Sequence, residues 1–253
     1  MGYVLEQDMY PTDIERHIKS SFKDLKFDKS VHSYSIEIEG SLIRLPSVSS
    51  IIKDLTPEFN KAKILPASAR LQNIPVHELD FQWREKNRIA CELGHQTHDF
   101  LEKYTGLETP VTPHERAGIS YIRSLEGKYR ISFRELRAYS RKYLYAGTMD
   151  LPLEEIQGTG YEIADYKTNG TDLFKAYDLL KAPFAYLEAS AFNKYQIQLS
   201  LYQLMLEEIG LRITNRRLVH LREDGNYKVY DLIDLTDELK PYLECRLKNR
   251  KAA

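Results

Sequence analysis

The residues whose types and spacing best suit chemistry fall in one stretch, residues 145–168, which reads YAGTMDLPLEEIQGTGYEIADYKT. It has the pattern of two β-strands joined by a glycine-containing turn, with Asp150 on the first and Asp165 and Lys167 on the second. Side chains two apart on a strand share a face, roughly 6.6 Å apart, so Asp165 and Lys167 point the same way. Where Asp150 points depends on the loop. A two-residue loop at Gly158 and Thr159 pairs Gln157 with Gly160, placing Asp150 opposite Lys167 and diagonal to Asp165. A three-residue loop shifts the register and turns Asp150 to the other face. With the shorter loop, two carboxylates and an ammonium converge. Such a patch suits Mg²⁺, which takes carboxylate oxygens, keeps waters and completes its shell with substrate phosphate. A lysine beside it orients the attacking water or steadies charge on the phosphate. An Asp-x-Lys tripeptide alone more often marks a surface ion pair worth about 0–1 kcal/mol, so the neighbouring segments must separate the two readings.

The segment leading into this stretch is basic and aromatic. Residues 128–148 carry Lys128, Arg130, Arg134, Arg137, Arg141 and Lys142 against one acid, Glu135, with Tyr129, Phe133, Tyr139, Tyr143 and Tyr145 interleaved. Basic groups track a phosphate backbone and aromatics stack on bases; an amphipathic strand with a solvated face has the same composition. Its position, running straight into the acidic patch, favours the nucleic-acid reading.

The elements that must position these groups follow in order. A polar helix is expected over 12–29 and a hairpin around Gly40. A short helix capped by Ser47 comes next, then an irregular connection over 56–79 that carries Pro57, Pro66 and Pro75. A long helix is expected over 79–104, with Ile89, Leu93, Gln96, Thr97, Phe100 and Leu101 on one face. His98 lies on or beside that face, with Gly94 and Glu102 a turn to either side. Gly94 costs roughly 1 kcal/mol against alanine inside a helix, and close approach to a strand would explain it. His95 and His98, at i and i+3, have chelating spacing, but a helical histidine is more often a hydrogen-bonded core or surface group, and spacing alone favours that. A helix over 113–129 and a strand over 131–140 lead to the central hairpin. A loop with a short helix occupies 171–189. A helix over 192–210 carries Tyr195, Gln198 and Tyr202 as one stripe, and Gly210 ends it. Two strands around Asp224-Gly225-Asn226 and a basic C-terminal helix close the chain.

Composition bounds the class. At 253 residues, 42% hydrophobic and 29% charged, with a net charge of −1, the chain is that of an ordinary globular protein. No apolar run approaches the roughly 20 residues of a membrane span. The first residues lack a basic-then-apolar leader, so a cytoplasmic protein without membrane partners is expected, including the cytoplasm of a phage-infected cell. No Walker A sequence, G-x-S-x-G elbow or H-E-x-x-H is present, which leaves no signal for ATP, a serine nucleophile or a zincin.

In order along the chain, these stretches resemble the RecB-like branch of the PD-(D/E)xK nuclease superfamily. The pattern runs through Gly94, His98 and Glu102 on a helix, Glu135 on a basic strand, A-G-T-M-D with Asp150, and E-I-A-D-Y-K-T with Asp165 and Lys167. It ends in Y-x-x-Q-x-x-x-Y at Tyr195, Gln198 and Tyr202. Residues before about 80 match more loosely, and their opening looks like that of phage-type and mitochondrial genome-maintenance exonucleases. The resemblance implies an α/β (mixed α+β) fold, a central mixed sheet flanked by helices, with a core over 81–253 and an N-terminal hairpin and helical annex over 1–80, in one compact unit.

By the same resemblance, His98, Asp150 and Asp165 ligate one or two Mg²⁺ or Mn²⁺ ions with the Tyr166 carbonyl, and Lys167 orients or activates the water. Glu135, Gln198, Tyr202 and Tyr195 support the site or contact DNA, as do Arg134, Arg137, Arg141 and Lys142. Several relatives hold an iron–sulfur cluster on four cysteines; this chain has only Cys91 and Cys245, so no cluster is expected. The activity implied is a DNA exonuclease of recombination, repair or DNA degradation, with DNA ends as substrate and a recombination or single-strand-binding protein as a possible partner. A structure-specific or nicking endonuclease on the same fold is the alternative among enzymes. A non-catalytic DNA- or partner-binding protein is the alternative of another class, disfavoured because His98, Asp150, Asp165 and Lys167 are all present.

Overall fold

Strand Tyr161–Lys167 is the most deeply enclosed strand among the described residues, its first six residues all buried. Buried on both faces, it needs cover on both sides, and the rest of the fold supplies it. The computed structural model describes residues 13–170 and 172–252; residues 1–12, which bear on a leader, lie outside these. In chain order come α1 (Asp13–Ser21), β1 (Lys26–Asp28), β2 (Ser33–Ile38), β3 (Ser41–Leu45), α2 (Val48–Leu55), α3 (Lys61–Gln72) and α4 (Val76–Lys103). Next are α5 (Pro113–Ser124), β4 (Tyr129–Ile131), β5 (Leu136–Ser140), β6 (Tyr145–Met149), β7 (Leu151–Glu155) and β8 (Tyr161–Lys167). The chain closes with α6 (Ala191–Glu208), β9 (Ile213–Leu221), β10 (Tyr227–Asp231) and α7 (Thr236–Ala252).

The fold is mixed α+β. A five-stranded sheet in the order β10-β9-β8-β7-β4 is antiparallel except where β8 runs parallel to β9. That parallel pair needs a crossover, and α6 provides it. On one face of the sheet, Ile163 and Leu218 pack with Ile197, Leu201 and Met205 of α6. On the other, Ala164, Tyr166 and Val219 pack with Ala117, Tyr121 and Ile122 of α5. The alternation along β8 therefore sends Ile163 and Asp165 toward α6, and Ala164 and Tyr166 toward α5. Each buried aliphatic side chain contributes about 1.5–3 kcal/mol.

The N-terminal sheet, β1-β2-β3, joins the α6 side of this core. Tyr34, Ile36, Leu45, Val48 and Ile51 belong to the same apolar cluster as α6. Its hairpin turns at Glu39 and Gly40, both at positive φ, as a two-residue turn matched to strand twist requires. Ser47 caps α2, its Oγ accepting from the Ser50 N–H at 3.1 Å.

Several expectations need correcting. The helix expected over 12–29 stops at Ser21 and is followed by β1, that over 113–129 stops at Ser124, and the strand expected over 131–140 is confined to β5, with β4 ending at Ile131. The connection over 56–79 is not irregular: α3 fills half of it and the start of α4 its end, and α3 tolerates Pro66, with Asn60 capping its start and Asn73, in a left-handed conformation, capping its end. The expected core face of α4 extends only over its C-terminal part. Thr97 and Leu101 are buried, but Ile89 is 53% exposed, because the N-terminal half packs mainly on α3 through Leu65, Ala69 and Leu79. Residues 172–190 form turns and an isolated Leu179–Glu188 bridge, with no helix among the described residues. No helix among these is long and apolar enough to cross a membrane.

Candidate metal-binding active site

The run 145–155 is not one strand. β6 pairs with β5 in a separate two-stranded sheet, whereas β7 pairs with β8 and β4. Asp150 is the one residue between β6 and β7, where the chain passes from one sheet to the other. Leu151 faces Ala164 and Glu154 faces Tyr161, and Glu155 N–H donates to the Gly160 carbonyl at 3.1 Å. The loop therefore spans residues 156–159, two longer than the short loop considered above. A two-residue slip preserves the face, so Asp150 still turns toward Asp165 and Lys167. Continuing the pairing by one step puts Asp150 opposite Asp165 rather than Lys167. The Tyr166 N–H donates to Asp150 Oδ2 at 2.7 Å and fixes that carboxylate.

Two sets of polar side chains meet here. In the first, His98 Nδ1 of α4 lies 3.3 Å from Asp150 Oδ1 and 3.4 Å from Glu135 Oε1. One ligand atom from each of His98, Glu135 and Asp150 falls within 4.8 Å of the others. Glu135 reaches this point from a left-handed backbone position, φ 56°, just before β5, its N–H donating to the Asp150 carbonyl. In the second, Lys167 Nζ donates to Asp165 Oδ2, and Gln198 Nε2 of α6 donates to Asp165 Oδ1 at 3.0 Å and toward the Tyr202 hydroxyl at 3.3 Å. Lys167 Nζ also stands 4.8 Å from the Tyr195 ring centroid, a cation–π contact. The Tyr195 hydroxyl donates to Asn169 Oδ1 at 2.8 Å.

Charge balance in this patch is tight. Asp165 is 1% exposed and Asp150 is 8% exposed. Burial, and then the charge on Asp150, push Asp165 up to about 6 against the pull of Lys167. Burial acts to raise Asp150 as well, but His98, Lys167 and the Tyr166 N–H outweigh it and hold that carboxyl below its usual range. Burial alone would lower His98; Asp150 and Glu135 overrule it and hold the imidazole up at about 10. Lys167 is likewise lowered by burial and raised on balance by Asp165 and Asp150, so it stays an ammonium.

The site forms the floor of an open cleft of about 1070 Å³ between α4 and the turn after β1. His98, Glu135, Asp150, Tyr166 and Lys167 line this cleft, whereas Asp165, Tyr195, Gln198 and Tyr202 do not, and the basic residues divide. Arg137 lines the cleft. Arg134 donates to the carbonyl of Tyr104, the C-cap of α4. Arg141 reaches Asp24 and the Tyr139 hydroxyl, and Lys142 lies over the Tyr143 ring, both in a turn whose N–H groups are held by Glu208. His95 and the exposed Glu102 line the cleft without joining the His98 group.

Gly94 is not required by close packing: a Cβ there would meet only Thr168 Oγ1 at 3.5 Å, an ordinary contact. Close packing falls at Gly147 instead, where a Cβ would lie 2.7 Å from the Tyr202 ring. Sequence reasoning missed Thr148 and the Phe27, Lys29 and His32 wall. Thr148 was within reach, two residues before Asp150 in the same strand pattern; the wall gave no local signal, since only tertiary packing brings it to the site.

Set against known proteins, the chain matches no family model and no curated sequence.

Proposed function

We propose that this chain is a Mg²⁺- or Mn²⁺-dependent DNA exonuclease of the PD-(D/E)xK, RecB-like kind, hydrolysing phosphodiester bonds from DNA ends. The observation that carries the reading is the pairing of the two sets: a His98–Glu135–Asp150 ligand group on the floor of an open cleft beside Lys167, which buried Asp165 holds from behind. The donor chemistry fits the ion. One imidazole nitrogen with carboxylate oxygens suits Mn²⁺ and Mg²⁺ better than it suits a thiophilic metal. Asp165 is raised first by burial and then by the charge on Asp150, and a cation beside these carboxylates would favour its ionised form.

In this reading His98, Glu135 and Asp150 hold the ion, with Asp165 next to them. A bound divalent cation supplies charge stabilisation to the phosphoryl oxygens and acidifies water. The remaining roles belong to the chain. Gln198 holds Asp165, and Asp165 with the Tyr195 ring holds the Lys167 ammonium at the cleft. Being charged, Lys167 orients water and steadies the phosphate as a donor and is not the proton acceptor. Tyr202, buried behind Gln198, keeps that amide turned toward Asp165.

The test is cleavage of end-labelled linear and covalently closed circular DNA, single- and double-stranded, with Mg²⁺, Mn²⁺ or EDTA. Loss of linear DNA alone is expected, abolished by EDTA and reduced at least roughly 10²-fold by Asp150→Asn or Lys167→Met. Cutting of circles would transfer the reading to an endonuclease. A wild type that binds DNA but cuts nothing with either metal would sink the catalytic reading.

A further inference from the structure

One wall of the cleft comes from outside the metal cluster. Arg137, on β5, is exposed, and its side chain makes no ion pair and no hydrogen bond among the described residues. Its acidic neighbour Glu135 is turned to His98 instead. The Arg137 guanidinium nevertheless has a fixed seat, its carbon 4.7 Å from the centroid of the Phe27 ring. Phe27 is held in turn by Tyr34, with ring centroids 4.9 Å apart, and by His32 at 5.2 Å. The Tyr34 hydroxyl shares a hydrogen bond with Thr148 Oγ1 at 2.9 Å. Thr148 is the cross-strand partner of Arg137. The turn after β1 is thus fastened to the strands that carry the cluster.

Spacing gives this wall a meaning. Arg137 lies two residues beyond Glu135, and Thr148 two residues before Asp150, all four lining one cleft. Two residues of near-extended chain span roughly 6.6 Å, about the separation of neighbouring phosphates along an extended nucleic-acid strand. Lys29, free of ion pairs and hydrogen bonds among the described residues, lines the same wall. A guanidinium held on an aromatic ring is already desolvated on one face and ordered, so little entropy is lost when it takes a phosphate.

We propose that Arg137, seated on Phe27 and assisted by Lys29, binds the phosphodiester next to the one that is cleaved. The site then grips a chain and not a single phosphodiester, and part of the grip comes from the N-terminal hairpin. The inference rests on the nuclease reading above.

Anisotropy of a labelled oligothymidylate, measured in EDTA between 50 and 200 mM salt, reads the contact directly. For Arg137→Ala, affinity is expected to fall about tenfold, and the slope of log K against log salt by roughly 0.7, the share of one single-strand phosphate contact. Lys240→Ala, on α7, is the control with an unchanged slope. With Mg²⁺, Arg137→Ala should lose kcat/KM on the oligonucleotide but keep the wild-type rate on thymidine 5′-p-nitrophenyl phosphate, which has no neighbouring phosphodiester. If Arg137→Ala does not fold, Lys29→Ala in its exposed turn decides by the same slope. An unchanged slope and an unchanged kcat/KM in the folded variant overturn the inference and leave the nuclease reading standing. A wild type that neither binds nor cuts DNA overturns both.

Discussion

At the residue scale, the site is governed by competition for protons and cations among five buried or half-buried charges, His98, Glu135, Asp150, Asp165 and Lys167. His98 is held at about 10 in the metal-free protein by Asp150 and Glu135. Its ring therefore carries a proton at neutral pH, whereas a metal ligand must be neutral. Metal binding at His98 must release that proton, so affinity should rise with pH, by up to about tenfold per unit below the imidazole's own pKa. Calorimetric Mn²⁺ titration at pH 7 in two buffers of different ionisation heat measures the release. A count close to one proton is expected for the wild type and close to zero for His98→Ala. Equal heats in both buffers for the wild type would remove His98 from the ligand set. The sequence named His98, Asp150, Asp165 and Lys167 because residue types and order are local facts. It ranked Glu135 below them because its arrival depends on a left-handed backbone turn that no spacing rule anticipates.

At the element scale, one strand run serves two sheets, and the break falls on the residue that chemistry needs. Period-two alternation made 145–155 legible as strand, and alternation alone cannot say which partner each half takes. The pairing slipped by two residues relative to the short-loop reading and kept its face, so Asp150, Asp165 and Lys167 converge despite the wrong loop. The prolines of 56–79, of which only Pro66 lies inside α3, misled for a different reason. One lost helical hydrogen bond at Pro66 is a local cost that caps at Asn60 and Asn73 help to offset. The seam between the two sheets is sensitive to volume. Gly147 lies on β6, where an added Cβ would sit 2.7 Å from Tyr202 Cε1 and 3.0 Å from Val48 Cγ2. Both neighbours are buried, and Tyr202 contacts Gln198. Gly147→Ala is expected to cost about 1–3 kcal/mol by overpacking, measured as a lower urea midpoint at unchanged m-value. Activity should fall further than stability explains, since a displaced Tyr202 turns Gln198 away from Asp165. A neutral Gly147→Ala would mean that α6 shifts freely, against its role as the rigid back of the site.

At the scale of the whole molecule, stability is unevenly spread. The main cluster joins the N-terminal hairpin, α2, β5, β6, α6 and α7, and a second holds α4, α5 and the far face of the large sheet. The pairing of α3 with the first half of α4 stands apart, its buried core reduced to Leu65, Ala69 and Leu79, with Ile74 and Trp83 packed at the edge. So few buried side chains offset little of the ordering entropy of two helices, and such a unit should open before the rest. Trp83 is the chain's only tryptophan, which lets fluorescence report this unit alone while far-UV circular dichroism reports every helix. In a urea titration the fluorescence transition is expected at lower denaturant than the main dichroism transition, a departure from two-state behaviour. Phe81→Ala, on the exposed side of α4, should move neither midpoint, whereas Leu79→Ala, buried against α3, should lower the fluorescence midpoint alone. Coincident transitions in the wild type would show that the pair melts with the core. The outcome also bears on the cleft: of the first half of α4 only Asn87 lines it, and the wall from Ala90 to Glu102 belongs to the half that packs on the large sheet, so opening of the α3 unit should leave the His98, Asp150 and Lys167 floor in place.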